Sequence, residues 1–273
     1  MTTIAADTHV HVYPCHRVEE VFRCAWANLA GLAGPAGDRT FLIFLTERSD
    51  CRFFHDLVDG KVRMAEGWEA TSACDENACC VRRAEDQAIL CILRGRQIVT
   101  KERLEVLSLA GDPEMKDGCG AWQAIEETLS DGAVPVLPWA PGKWLFERGR
   151  QVEELLRAFQ PGQVLIGDTT LRPAGCGEPR LMRKARARGF KVVAGTDPLP
   201  FAGEERRVGQ YGVTWEGELG EYSLVRDIRR MLLDPNCAMR TVGRRDGVLS
   251  AARRLIANYR TKPPAGRGEG DGT

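Results

Sequence analysis

The sequence predicts an α/β fold of the TIM-like (β/α) barrel kind, distorted, with a β-rich insertion after the second strand. Strand-like and helix-like segments alternate along most of the chain, which argues for a largely parallel sheet. A length of 273 residues is one that a single α/β barrel commonly reaches. An open doubly wound sheet fits the alternation too, but no Gly-x-Gly-x-x-Gly follows the first strand, so a nucleotide fold of that kind has little support. The predicted organisation is one domain over residues 1–261, with 61–110 as the insertion and a disordered Gly- and Pro-rich tail over 262–273.

Each element has a local signal. Ile4 to Tyr13 is rich in β-branched residues and alternates, as a strand does, and Pro14 stops it. Val18, Val21, Phe22, Ala25, Leu29 and Leu32 recur at helical spacing. The breakers Gly31, Gly34, Pro35 and Gly37 follow, then Thr40 to Leu45, a continuous apolar run suited to a strand buried on both faces. Within 61–110, Ala88 to Leu93, a turn at Arg94-Gly95, and Gln97 to Thr100 read as a hairpin, and Leu104 to Leu109 as a strand or helix. Alternation then resumes. Helices are expected around Trp122–Leu129, Val152–Phe159 and Leu181–Ala185, and strands over Ala133–Pro138, Gln163–Gly167 and Phe190–Gly195. Two last helices carry Leu224, Val225, Ile228, Met231 and Leu232, then Val248, Leu249, Ala252, Leu255 and Ile256.

Composition narrows the function classes. Lys plus Arg (38) equals Asp plus Glu (38), so the basic excess of a nucleic-acid binder is absent. The run from Arg183 to Arg188 reads as a solvated helix face. The N-terminus has no secretory pattern and no apolar stretch would span a bilayer, so a cytoplasmic protein that binds no membrane is expected. None of the 10 cysteines makes a Cys-x-x-Cys pair, and reduced thiols are the default. The cluster Cys74, Cys79, Cys80 leaves a structural zinc site as one further reading.

The chemistry concentrates in Asp7-Thr8-His9-Val10-His11. Residues two apart on a strand point the same way, so both imidazoles can share one metal ion. The pair sits at the C-terminal end of the first strand, where parallel barrels build active sites. It uses two of the chain's 4 histidines. Carboxylates follow other predicted strands: Glu47, Asp168 and Asp197. Each could join the metal, although an acid after a strand also commonly caps a helix or makes a turn. Lys143 and Arg172 are candidate cations for an anionic substrate, and Trp139 with Trp144 could wall a pocket. Patterns for serine hydrolases, zincins and P-loop proteins are missing.

Asp7-Thr8-His9-Val10-His11 resembles the first-strand signature of the amidohydrolase superfamily and of the polymerase and histidinol phosphatase family. Val192-Val193-Ala194-Gly195-Thr196-Asp197 resembles the late amidohydrolase strand. The resemblance implies a barrel with a divalent metal ion, zinc or manganese, at its strand ends. It implies Asp197 as ligand or general base beside His9 and His11. The function so implied is hydrolysis of a small phosphoester, amide or lactone by metal-activated water. Both families add histidines from middle strands, and this chain has only His16 and His55 besides the pair. A single carboxylate-rich metal site fits better than a binuclear one. A catalytically inactive barrel that binds a ligand or acts as a scaffold is the alternative.

Overall fold

A computed structural model describes residues 1–35, 37–64, 66–71, 75–220 and 223–261. The predicted tail over 262–273 lies outside these residues, as does Cys74. The chain opens with β1 (Thr2–Val10), α1 (Val18–Ala33) and β2 (Arg39–Leu45). A short helix α2 (Phe53–Val58) precedes β3 (Trp68–Ala70), β4 (Ala78–Arg83), β5 (Ile89–Leu93), β6 (Gly95–Val99) and β7 (Glu105–Leu109). Then come α3 (Ala121–Ser130), β8 (Val134–Pro138), α4 (Phe146–Ala158), β9 (Leu165–Thr169), α5 (Arg180–Ala187) and β10 (Val192–Gly195). After a 3₁₀ turn at Glu204–Arg207 the chain ends with β11 (Tyr211–Gly217), α6 (Leu224–Leu233), β12 (Arg240–Gly243) and α7 (Val248–Thr261).

The predicted barrel does not form. The strands divide into a seven-stranded sheet, β12-β11-β1-β2-β5-β4-β3, and a five-stranded sheet, β10-β9-β8-β7-β6, and neither closes on itself. The sheets are also mixed rather than parallel, with β11, β4 and β7 running antiparallel to their neighbours. The place beside β1 that closure would give to β10 is taken by β11, which pairs from Thr2↔Gly217 to Ala6↔Val213. The sheets meet instead at two short seams. At one, the Asp197 N–H donates to the His9 carbonyl at 2.9 Å and the Thr8 hydroxyl to the Ala194 carbonyl at 2.9 Å. At the other, the Glu47 N–H donates to Gly95 O at 3.1 Å and the Gln97 N–H to Glu47 O at 2.8 Å.

Residues 61–110 supply strands to both sheets. β5 lies between β2 and β4 in the first, while β6 pairs with β7 at the edge of the second. The hairpin expected across Arg94-Gly95 is therefore absent, because the chain passes there from one sheet to the other. Gly95 permits the passage: a side chain on it would collide with the carbonyls of Leu45 and Ser108.

Burial follows the layers. Ile4, Leu42, Leu93, Leu107, Val136 and Val193 pack with α6 in a core shared by both sheets. α1 and α2 cover the far side of the first sheet through Phe22, Leu29 and Phe54. α3, α4 and α5 cover the second through Ile125, Val152 and Met182. α7 departs from the sequence reading. Its apolar residues Val248, Leu249 and Ile256 are exposed, and the face it buries carries Ala251 and Arg254.

Candidate metal centre

β1 aims the histidines. Its pairing with β2 shifts register between Asp7 and Val10, and the alternation changes phase there. Ile4 and Ala6 face the shared core, but Val10 and Val12 face the helix-covered side. Such an irregularity re-aims side chains. It leaves His9 and His11 pointing back toward the second sheet, both buried. Asp7, fully buried, fastens this strand end to the other sheet. Its carboxylate accepts from the Thr196 N–H at 2.9 Å, the Gly209 N–H at 2.8 Å, the His9 N–H at 3.2 Å and the Thr196 hydroxyl. Burial pushes its pKa up to about 7 against those donors.

Asp197, just past β10, completes the group. The two Nε2 atoms lie 3.1 Å apart, and Asp197 Oδ1 is 3.5 Å from that of His9 and 3.7 Å from that of His11. These three are the cluster of metal-binding side chains among the described residues. Two ligand atoms about 2.1 Å from a tetrahedral ion lie roughly 3.4 Å apart, so the observed spacings fit one divalent ion. Burial also holds both imidazoles neutral, as ligands must be, with His9 lowered to about 4 and His11, beside His9, to about 3. Burial raises Asp197, against the pull of His11 and Arg254.

The other sequence candidates are placed differently. Asp168 is buried in an ion pair with Arg172, whose Nε donates to Oδ1 at 2.7 Å and whose Nη2 donates to Oδ2, while the Tyr211 hydroxyl donates to Oδ2 at 2.6 Å. Arg172 Nη1 donates to the Cys176 carbonyl at 3.0 Å, so its whole fork is engaged. Glu47 Oε1 accepts the Phe54 N–H at 2.9 Å at the start of α2, and burial raises its pKa to about 7. Lys143 pairs with Glu105, and both charges act on His9. Trp139 lines a cavity of about 580 Å³ together with Trp144, Phe146 and Arg150. Cys79 and Cys80 sit on opposite faces of β4, in different cores, which separates their side chains.

Sequence reading missed Gln97, which lies against both imidazoles, and Glu105. Neither carries a motif, and the topology alone brings β6 and β7 here. It also missed the cavity of about 900 Å³ beside the centre. Tyr13 forms the shared wall: it lines this cavity and stacks on His11 with ring centroids 5.5 Å apart. Arg17, Arg52, Phe53 and Met64 line the rest of its wall.

No family model and no curated protein matches the sequence. Among solved structures, PsfC from Pseudomonas syringae PB-5123 is similar at a TM-score of 0.55 and 14% identity, over 95% of this chain and 97% of that one. The lesion-specific endonuclease PfuEndoQ from Pyrococcus furiosus is similar at a TM-score of 0.53 and 9% identity, over 88% of this chain and 57% of the endonuclease. The chain thus spans little more than half of that enzyme's length. At these identities the likeness is one of fold.

Proposed function

We propose that the chain is a metal-dependent hydrolase whose centre is His9, His11 and Asp197, acting on a small phosphoester, amide or lactone. The observation that carries this reading is the convergence of three ligand atoms, two of them neutral nitrogens of buried imidazoles, within 3.1–3.7 Å of one another. Three protein ligands leave a position open, as in catalytic rather than structural sites. A divalent ion bound there supplies Lewis acidity and brings water within reach of deprotonation near neutral pH. Asp197, whose Oδ1 faces both Nε2 atoms, is the base at hand. Lys143, paired with Glu105 beside His9, is a candidate cation for a substrate anion. The fold shared with an endonuclease supports hydrolysis and, of the three substrate classes, favours phosphoesters.

One observation favours the alternative, a binding protein without catalysis. Asp168 and Glu47, the further carboxylates that could have enlarged the centre, hold Arg172 and α2 instead. Metal content by mass spectrometry, on the parent and on a His9→Ala, His11→Ala double variant, separates the readings. About one equivalent of zinc or manganese in the parent, lost in a folded variant, together with turnover of a phosphoester panel, is the expected result. A parent that binds the ion but hydrolyses nothing would make it a binding protein. A parent that stays empty in excess metal would end the metal reading.

A further inference from the structure

Asp197 has a backbone φ of 51°, in the left-handed region that side chains other than glycine rarely adopt. Such a conformation persists where surrounding contacts over-determine it. Its N–H is held by the His9 carbonyl, and its own carbonyl accepts from Nη2 of Arg254 at 3.2 Å. Arg254 comes from α7, the last described helix, and is 4% exposed. Its guanidinium also donates to Glu204 through Nε at 2.9 Å and Nη2 at 2.5 Å, and through Nη1 to Asp246 Oδ2 at 2.8 Å and Thr170 Oγ1 at 2.7 Å. The Thr170 hydroxyl in turn donates to the Thr196 carbonyl at 2.6 Å. Two successive carbonyls, those of Thr196 and Asp197, are therefore tied to one guanidinium, the first through Thr170 and the second directly. A planar fork can serve all of these acceptors at once, which a lysine's point charge does not.

The way α7 docks points the same way. A helix usually attaches by an apolar stripe, yet Leu249, Ile256 and Tyr259 are 74%, 53% and 81% exposed. The buried charged residue at the contact is Arg254, and its network runs straight to the loop that carries Asp197.

We infer that Arg254 is a positioning residue for the metal centre, so that docking of α7 and capture of an ion by His9, His11 and Asp197 are coupled. This rests on the reading that those three residues bind metal. Mn²⁺ titration by calorimetry of the full chain, beside Asp197→Asn and Arg254→Lys, tests it. Groups that orient metal ligands typically contribute 10–100-fold in affinity, so a folded Arg254→Lys protein should bind Mn²⁺ roughly 10–100-fold more weakly. A folded variant with parental affinity would overturn the inference while leaving the metal reading intact. Should the variant not fold, hydrogen exchange on the parent decides. Protection of 248–261 on adding Mn²⁺, along with the loop at 196–199, supports coupling, and protection confined to the loop refutes it. A parent that binds no Mn²⁺ would instead fail at Asp197→Asn's own baseline, and the metal reading would fall together with the coupling.

Discussion

Gly195 sets how closely β10 approaches β1, and replacing it with alanine tests whether that approach builds the centre. A Cβ there would stand 2.5 Å from the Cβ of His9 and 2.9 Å from Oδ1 of Asp7. Carbon atoms in contact prefer about 3.5–4.0 Å, so the seam would have to open by about 1 Å. Overpacking of this kind costs about 1–3 kcal/mol, and in a domain of this size each kcal/mol lowers Tm by about 2–4 °C. Gly195→Ala should therefore melt about 2–12 °C below the parent. The same opening carries His9 away from Asp197, whereas ligand distances must hold to about 0.2 Å. Mn²⁺ affinity should thus fall at least about tenfold. Gly31→Ala, on the exposed side of α1 with nothing within 4 Å of the new methyl group, is the matched control. It should gain about 0.5–1 kcal/mol and leave metal binding alone. Differential scanning calorimetry and isothermal titration on both variants give the answer. A Gly195→Ala protein with parental Tm and parental affinity would refute the idea that contact between the two sheets builds the site.

Glu47 gives a pH-dependent prediction. Its folded pKa, raised by burial from 4.5 to about 7, means the folded chain holds a proton that the unfolded chain releases. Stability should then fall as pH rises from about 4.5 to about 7, by up to about 3 kcal/mol in total. Glu47→Gln keeps an acceptor for the Phe54 N–H and should remove that part of the decline, read from urea melts at pH 5 and pH 8. Asp168→Ala strands Arg172 in the interior, a loss of about 3–5 kcal/mol by the usual cost of breaking a buried pair. The folded fraction should nonetheless keep the parental metal stoichiometry, and loss of the ion would return Asp168 to the ligand set.

The meeting of His9, His11 and Asp197 was more legible than the fold. His9, His11 and Asp197 converge as the sequence suggested, because period-two geometry and strand-end placement are local rules that survive a change of sheet topology. The barrel was not legible, because its failure depends on a partner choice: β11 pairs with β1 across more than two hundred residues, and nothing in Tyr211–Gly217 announces which strand it will meet. The hairpin at Arg94-Gly95 was misread for a related reason. A glycine between two strands signals a turn and a close backbone approach equally well, and only the carbonyls of Leu45 and Ser108 decide between them. On α7 the helical period was right, but burial selected Arg254 over the neighbouring Leu249 and Ile256, reversing the usual rule for which face turns inward.

The pairing of β1 with β11 also orders events during synthesis. Thr2–Val10 leaves the ribosome long before Tyr211–Gly217, for which one of its edges waits. Asp7 likewise waits for Thr196 and Gly209, the donors that fasten it across the seam. Contacts of such long sequence separation form slowly, and an unpaired strand edge invites wrong partners in the interval. The edge of Thr2–Ala6, just ahead of His9 and His11, therefore stays open until Tyr211–Gly217 has emerged. A divalent ion that binds only the finished arrangement would draw the population toward the folded chain at that last step, and refolding yields should rise when it is supplied.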